Sequence, residues 1–246
     1  MKVFKSIVFG LVILIGAFAY FAPASIIQNF LPANISTAGI SGTLWKGNAR
    51  TIVIDKIGIQ NTKWNASPFS LLTGKVKADV SINSNNLQGQ FQTTYSGSAV
   101  HTKDLDLTGD LSLLLPYFEQ YGLTISGQFD ANFINLEIEN GFPKHADGIL
   151  QLFDTSILGI IPLNLGDVTS TFEEKTDGLK INLDNTNGEL DLSGVITINT
   201  KGVYLADLML SRNSQTPDQV LQTVQLIGNK ISEDSVKLVH SGQLRI

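Results

Sequence analysis

Residues 75–83 read Lys-Val-Lys-Ala-Asp-Val-Ser-Ile-Asn, and they alternate without exception: Val76, Ala78, Val80 and Ile82 fall on one side, Lys75, Lys77, Asp79, Ser81 and Asn83 on the other. A period of two describes a strand buried on one face, whereas an amphipathic helix would repeat its apolar residues three and four apart. The same pattern returns at Leu123–Phe133, where Leu123, Ile125, Phe129, Ala131 and Phe133 share a face. Shorter runs of this kind are Thr51–Asp55, Leu179–Asp184, Leu190–Ser193 and Val195–Asn199. Between such runs stand Asn140-Gly141, Asp177-Gly178 and Asn187-Gly188. These dipeptides reach the positive φ angles of tight hairpin turns, so the expected body is an antiparallel meander.

Helical signals are few. Thr216-Pro217-Asp218 predicts a helix start, with Thr as cap, Pro at the first helical position and Asp favourable against the helix dipole, ahead of Val220, Leu221, Val224 and Ile227 at helical spacing. Ser112–Phe118 predicts a short helical turn, and Val236–Ile246 returns to near-alternation as a last strand. A sheet that is apolar on one face and short of helices must fold onto itself to cover that face. The fold class expected is therefore mainly β: a curled antiparallel sheet forming a trough, a sandwich or a partly open barrel. An open trough would hold acyl chains on its lining, but Phe129, Phe133, Ile181 and Leu183 read first as core.

Ahead of this body, Ser6–Trp45 carries no charge, and Ile7–Phe21 holds ten Leu, Ile, Val or Phe residues. Continued to Ile27, the segment supplies the ~20 apolar residues of a membrane-spanning helix. Lys2 and Lys5 precede it and the next cation is Lys46, which places the N-terminus in the cytoplasm. The expected division is a cytoplasmic tail at 1–5, a transmembrane anchor at 6–27 and an exported β-domain at 28–246. A cleaved signal peptide with Ala22-Pro23-Ala24 as its processing site is the alternative. Ile26, Ile27, Phe30 and Leu31 carry the apolar character past that site, which favours the anchor.

Composition narrows the chemistry. With 17 Lys and Arg against 22 Asp and Glu the chain is acidic, and a nucleic-acid partner is not expected. The absence of cysteine removes disulfides, thiolate metal sites and cysteine nucleophiles. Asp104, Asp106 and Asp110 resemble a calcium loop only until Leu115 appears where the bidentate Glu is needed. Glu173 and Glu174 are adjacent and point to opposite faces of a strand, so they form no carboxylate pair. His240 reads as structural or solvent-facing. No nucleophile elbow, phosphate loop or dinucleotide fingerprint is present. No catalytic residue, cofactor or metal ligand is assigned, and an enzyme is not expected.

Two glycine-bracketed patterns are more distinctive. Gly42-Thr-Leu-Trp45-Lys-Gly47-Asn-Ala49 follows the apolar segment, and Trp64, Pro68, Leu71, Leu72 and Gly74 precede the 75–83 run. Their glycines permit turns, Pro68 suits a helical turn, and Leu71 with Leu72 can plug an open end of the sheet. These eight residues, Gly42, Trp45, Gly47, Trp64, Pro68, Leu71, Leu72 and Gly74, are the candidate membrane-proximal cap or interaction site.

At these residues, after a basic N-terminus and a single apolar anchor, the chain resembles the type II secretion system protein N family. The resemblance is sharpest over residues 1–83. It implies an inner-membrane accessory component that acts in export of folded proteins from the periplasm, with other secretion components as partners, the membrane engaged through the N-terminal helix, and no enzymatic activity. The chain is also distantly similar to AsmA-like proteins, which implies lipid binding as the alternative.

Overall fold

The computed structural model describes residues 20–159 and 162–244, and among them the strands form one antiparallel sheet. Its strands are β1 (Ile35–Gly42), β2 (Lys46–Ile54), β3 (Ile57–Ser67), β4 (Val76–Asn83), β5 (Leu87–Tyr95), β6 (Ala99–Asp110) and β7 (Thr124–Glu139). There follow β8 (Phe142–Leu158), β9 (Leu163–Lys175), β10 (Gly178–Thr186), β11 (Leu190–Asn199), β12 (Val203–Arg212), β13 (Asn229–Lys230) and β14 (Ser235–Gln243). Each strand lies beside its predecessor until the end, where the order runs β12-β14-β13. β1 and β13 are both edges, so the sheet is neither a sandwich nor a closed barrel but an open, curled ribbon.

Local chemistry explains most of the elements. Asn140 and Gly141 have φ of 50° and 84° and make the β7–β8 turn, and Asn187 at 61° begins the β10–β11 connection. Val195–Asn199 and Leu190–Ser193 are one strand, β11, because Gly194 pairs directly with Leu208 and does not interrupt the ladder. The helix starts at Asp218, one residue later than expected: Pro217 takes the N-cap position, and the Thr216 side chain does not cap the helix. Its hydroxyl donates to the Glu189 carbonyl at 2.6 Å and so ties the helix start to the β10–β11 connection.

Among the described residues three strands carry a non-glycine residue with positive φ at mid-length: Asn61, Asp104 and Asp154, at 51°, 48° and 48°. Asp104 and Asp154 sit where the registers shift, two residues facing one across the ladder. A bulge of this kind bends its strand and increases its twist, and Asn and Asp tolerate the left-handed region better than other non-glycine residues. Asp104 is thus solvent-facing, as the alternation implied, and also a bend.

The bends curl the sheet until strands two apart meet. Phe133 on β7 and Phe172 on β9 lie 5.0 Å apart between ring centroids, edge to face, across the intervening β8. They belong to a core of Ala131, Phe133, Ala146 and Leu179 with Leu105, Leu107, Phe129, Leu150 and Ile181 packed around it. Phe129, Phe133 and Ile181 are therefore core residues. A second cluster joins Leu190, Leu210 and Val236 to Val220, Leu221 and Val224, so the Asp218–Ile227 helix covers the C-terminal end of the sheet.

One pairing rule runs through the inner face. Gly47, Gly89, Gly109, Gly148 and Gly194 stand directly opposite Trp64, Leu107, Phe129, Phe133 and Leu208. A Cβ on any of these glycines would come within 2.4–2.7 Å of its partner's side chain. On the concave side of a curled sheet the side chains crowd, and a glycine lets the large partner lie across its backbone.

The N-terminus departs from expectation. The predicted tail, and the anchor as far as Ala19, lie outside the described residues. Among the described residues no helix is long and apolar enough to cross a membrane. The last part of the predicted span, Pro23–Ile27, is not in an α-helix. Pro23 is extended (φ −68°, ψ 144°) and Ala24–Phe30 form a 3-10 helix. Pro23 lacks an N–H and so cannot continue the hydrogen-bond ladder of a helix through this point.

Candidate interaction site

Alternate turns of a meander share one rim of the sheet. The turns β1–β2, β3–β4, β5–β6 and β7–β8 lie on what we call the near rim, and both distinctive sequence patterns fall there. Gly42 to Lys46 is the β1–β2 turn. Gly42 has φ of 91°, and a Cβ there would lie 2.5 Å from the Lys46 carbonyl oxygen. The Thr43 N–H donates to that oxygen at 2.9 Å, and the Lys46 N–H donates to the Thr43 hydroxyl at 3.1 Å. Trp64 reaches across from β3: its ring covers Gly47 and its Nε1–H donates to the Leu44 carbonyl at 3.0 Å. The Ala66 N–H donates to the Trp45 carbonyl at 2.6 Å, closing the corner. Gly42, Trp45, Gly47 and Trp64 thus come together as one turn and its clasp.

This corner holds the N-terminal segment. The Leu44 N–H donates to the Ala22 carbonyl at 3.0 Å, and Pro23 bridges Thr43 in antiparallel fashion. Ala22 and Ala24 are buried, while Tyr20 and Phe21 just before them are exposed. The Gln28 side chain donates to the Thr37 carbonyl at 3.3 Å, fixing the 3-10 helix along β1. From Ala22 onward the chain is part of the folded body with no intervening linker.

The second pattern forms the β3–β4 connection. Pro68 opens a 3-10 helix over Pro68–Thr73, which also contains Leu71 and Leu72, and Gly74 ends it with φ of 69°. Buried Ser70 organises the turn: its hydroxyl donates to the Ser67 carbonyl at 2.6 Å and accepts the Lys77 N–H at 3.1 Å. Ser70 escaped the sequence reading, although a Ser inside a Pro-to-Gly turn is a usual local hydrogen bonder. Leu71 is 49% exposed and does not plug the sheet, because its turn stands out from the rim. Phe69 beside it is 78% exposed.

Farther along the rim the charges pair. Lys144 contacts Glu139 at 2.9 Å and Glu137 at 3.5 Å, and its ammonium is held above its ordinary pKa first by the Glu139 hydrogen bond and charge. Glu173 is held below the usual carboxylate range by hydrogen bonds from Lys180 at 2.9 Å and Asn182 at 2.7 Å, then by the Lys180 charge. Glu174 turns instead to His145, at 3.2 Å. His240 stacks on Tyr204, whose hydroxyl lies 3.0 Å from Nδ1. Among the described residues no three His, Cys, Asp or Glu side chains converge to hold a metal ion.

A groove of about 580 Å³ lies beside the Gly47–Trp64 pair. Lys63, Asn65, Asp79, Ser81, Gln90 and Gln92 line it together with Trp64, Val80 and Phe91, so its lining is mixed.

No curated protein and no solved structure matches the chain. The family model for type II secretion system (T2SS), protein N matches residues 33–239, and so takes in the β1–β2 turn, the β3–β4 connection and nearly the whole sheet. With both glycine-bracketed turns and the meander inside the matched span, the chain belongs to the type II secretion system protein N family.

Proposed function

We propose that the chain is an inner-membrane-anchored accessory component of the type II secretion system. It acts in export of folded proteins from the periplasm by binding other components of that machine, and it catalyses no reaction. The family match over residues 33–239 carries this reading. The anchor is supported by the uncharged Ser6–Ile27 run and its two flanking lysines. The burial of Ala22 and Ala24 supports retention over cleavage, since processing at Ala22-Pro23-Ala24 would remove the strand-like contacts with Thr43 and Leu44.

The open sheet supplies a binding mode. At the C-terminal edge β13 pairs with Val236 and Lys237, which among the described residues leaves Leu238–Gln243 of β14 with one neighbouring strand, β12. Such an edge offers backbone donors and acceptors to an added strand. The lipid-handling alternative needs an apolar lumen, and the middle of the curl is filled by its own Phe133 and Phe172.

Photoreactive residues at Trp45, Trp64 and His240 of the full chain in native membranes test the proposal. Cross-links to other secretion subunits, together with their co-purification in mild detergent, are expected. A chain that brings down none of them under either condition is not an accessory of the machine.

A further inference from the structure

We infer that the near rim is itself a membrane-contacting surface, so that the body rests on the anionic bilayer into which its anchor enters. The inference rests on the anchor reading above and adds a second contact to it. The first observation is the missing linker. Phe21 is followed at once by Ala22, already hydrogen-bonded to Leu44 of the β1–β2 turn. The sixteen residues Ser6–Phe21 would reach about 24 Å at helical rise, short of the roughly 30 Å hydrocarbon core. A short span docked rigidly to a turn draws that turn down to the headgroups.

The second observation is what the rim presents there. Phe69 is 78% exposed, Leu71 49% and Tyr95 50%, and all three lie on the same rim as the docked segment. Exposed Lys46, Lys75 and Lys77 stand among them. The rim segments 42–46, 65–77 and 94–101 contain no Asp or Glu, and the acids of the adjoining β7–β8 turn, Glu137 and Glu139, are both in contact with Lys144. Aromatic and aliphatic tips beside lysines, without acids, match an interface where apolar side chains enter the headgroup layer and cations meet anionic lipid. The opposite rim also exposes Tyr121, Leu226 and Ile227, but it sets Asp55, Asp110, Glu119, Glu189, Asp218, Glu233 and Asp234 against Lys56, Arg212 and Lys230, an acidic excess that an anionic surface would repel.

The chain has no cysteine, which makes site-directed spin labelling direct. Full-length chains with Phe69→Cys, Leu71→Cys or Tyr95→Cys are labelled with a nitroxide and reconstituted into vesicles of phosphatidylethanolamine and phosphatidylglycerol. Tyr121→Cys and Leu226→Cys on the opposite rim serve as aqueous references, and Ile13→Cys as the reference within the anchor. Labels at 69 and 71 are expected to show higher oxygen and lower nickel-complex accessibility than those at 121 and 226. If they are as open to the nickel complex as the references while the label at 13 is in the bilayer, the rim contact is overturned and the anchor stands. Protection of 69 and 71 from both probes means a protein neighbour and also overturns it. A label at 13 that is open to the nickel complex removes the anchor reading, and this inference with it.

Discussion

Replacing Gly47 by Ala tests the clasp that holds the near rim together. The added methyl carbon would lie 2.4 Å from Cζ2 and 2.8 Å from Cε2 of Trp64, and 2.9 Å from the Ser41 carbonyl oxygen. Carbon atoms are comfortable at about 3.5–4.0 Å, so the indole must retreat by roughly an ångström. That movement carries the Trp64 Nε1–H away from the Leu44 carbonyl, now at 3.0 Å, to the limit of a hydrogen bond. Overpacking costs about 1–3 kcal/mol and the strained bond about 1 kcal/mol, so a loss of roughly 2–4 kcal/mol is expected. Urea unfolding of the full chain in mild detergent measures it through indole emission, because both tryptophans, Trp45 and Trp64, belong to this corner. In a Trp64→Leu background the same Gly47→Ala change should cost about 1 kcal/mol or less, since the double-mutant cycle isolates the contact. An unchanged urea midpoint, or an equal penalty in both backgrounds, would refute the idea that the glycine is there to admit the indole.

Four other outcomes follow from single side chains. Thr155 is almost fully buried and its hydroxyl has no hydrogen-bond partner among the described residues; Thr155→Val should be neutral or stabilise by about 1 kcal/mol in the same unfolding assay, and a clear loss would show that the hydroxyl is satisfied. Asp104 has φ of 48° in its bulge, so Asp104→Val should destabilise by about 1–2 kcal/mol while Asp104→Gly should not; equal effects would remove the bend from the account. Glu173 is depressed by Lys180 and Asn182, so its contribution is in place above the unfolded-chain value and lost as pH falls through the native one. Lys180→Met should raise the Glu173 midpoint in an NMR titration, and an unmoved midpoint would show that the ion pair does not form in solution. Lys144 has the opposite sign: its raised value makes its contribution disappear as pH rises through the native value.

The strands were legible because alternation is a local signal. Val76 to Asn83 and Thr124 to Glu139 begin one residue after the sequence places them, and the Asn140-Gly141 turn needs no tertiary help. The candidate residues were found from spacing, but their mutual arrangement was not. Gly47 and Trp64 are seventeen residues apart, and only the β2–β3 register places one over the other. Bulges were missed for a related reason. Asp104 keeps a polar residue on the solvent side of an alternating run, so nothing in composition separates a bend from an ordinary exposed carboxylate. The expected span to Ile27 overlaps the folded body because hydropathy continues through Ile26 and Ile27, whereas Pro23 and the pairing with Thr43 decide where that body begins.

Glycine placement bears on what the sheet can bind. A strand that offers Ala146 and Gly148 to the inner face leaves space above itself, and in a lipid carrier that space would be lumen. Here Phe133 lies over Gly148, and Phe172 comes from two strands away to meet it at 5.0 Å. Trp64, Leu107, Phe129 and Leu208 do the same over Gly47, Gly89, Gly109 and Gly194. The room opened by each glycine is taken by its own cross-strand partner, so tighter curl brings more self-contact and no larger cavity. Accessible features include backbone along Leu238–Gln243, the groove beside Trp64, a shallow rim groove lined by Leu179, Ile198, Val203 and Leu205, and the apolar tips of the near rim. That distribution favours partners met at an edge or a rim over a ligand held in a lumen.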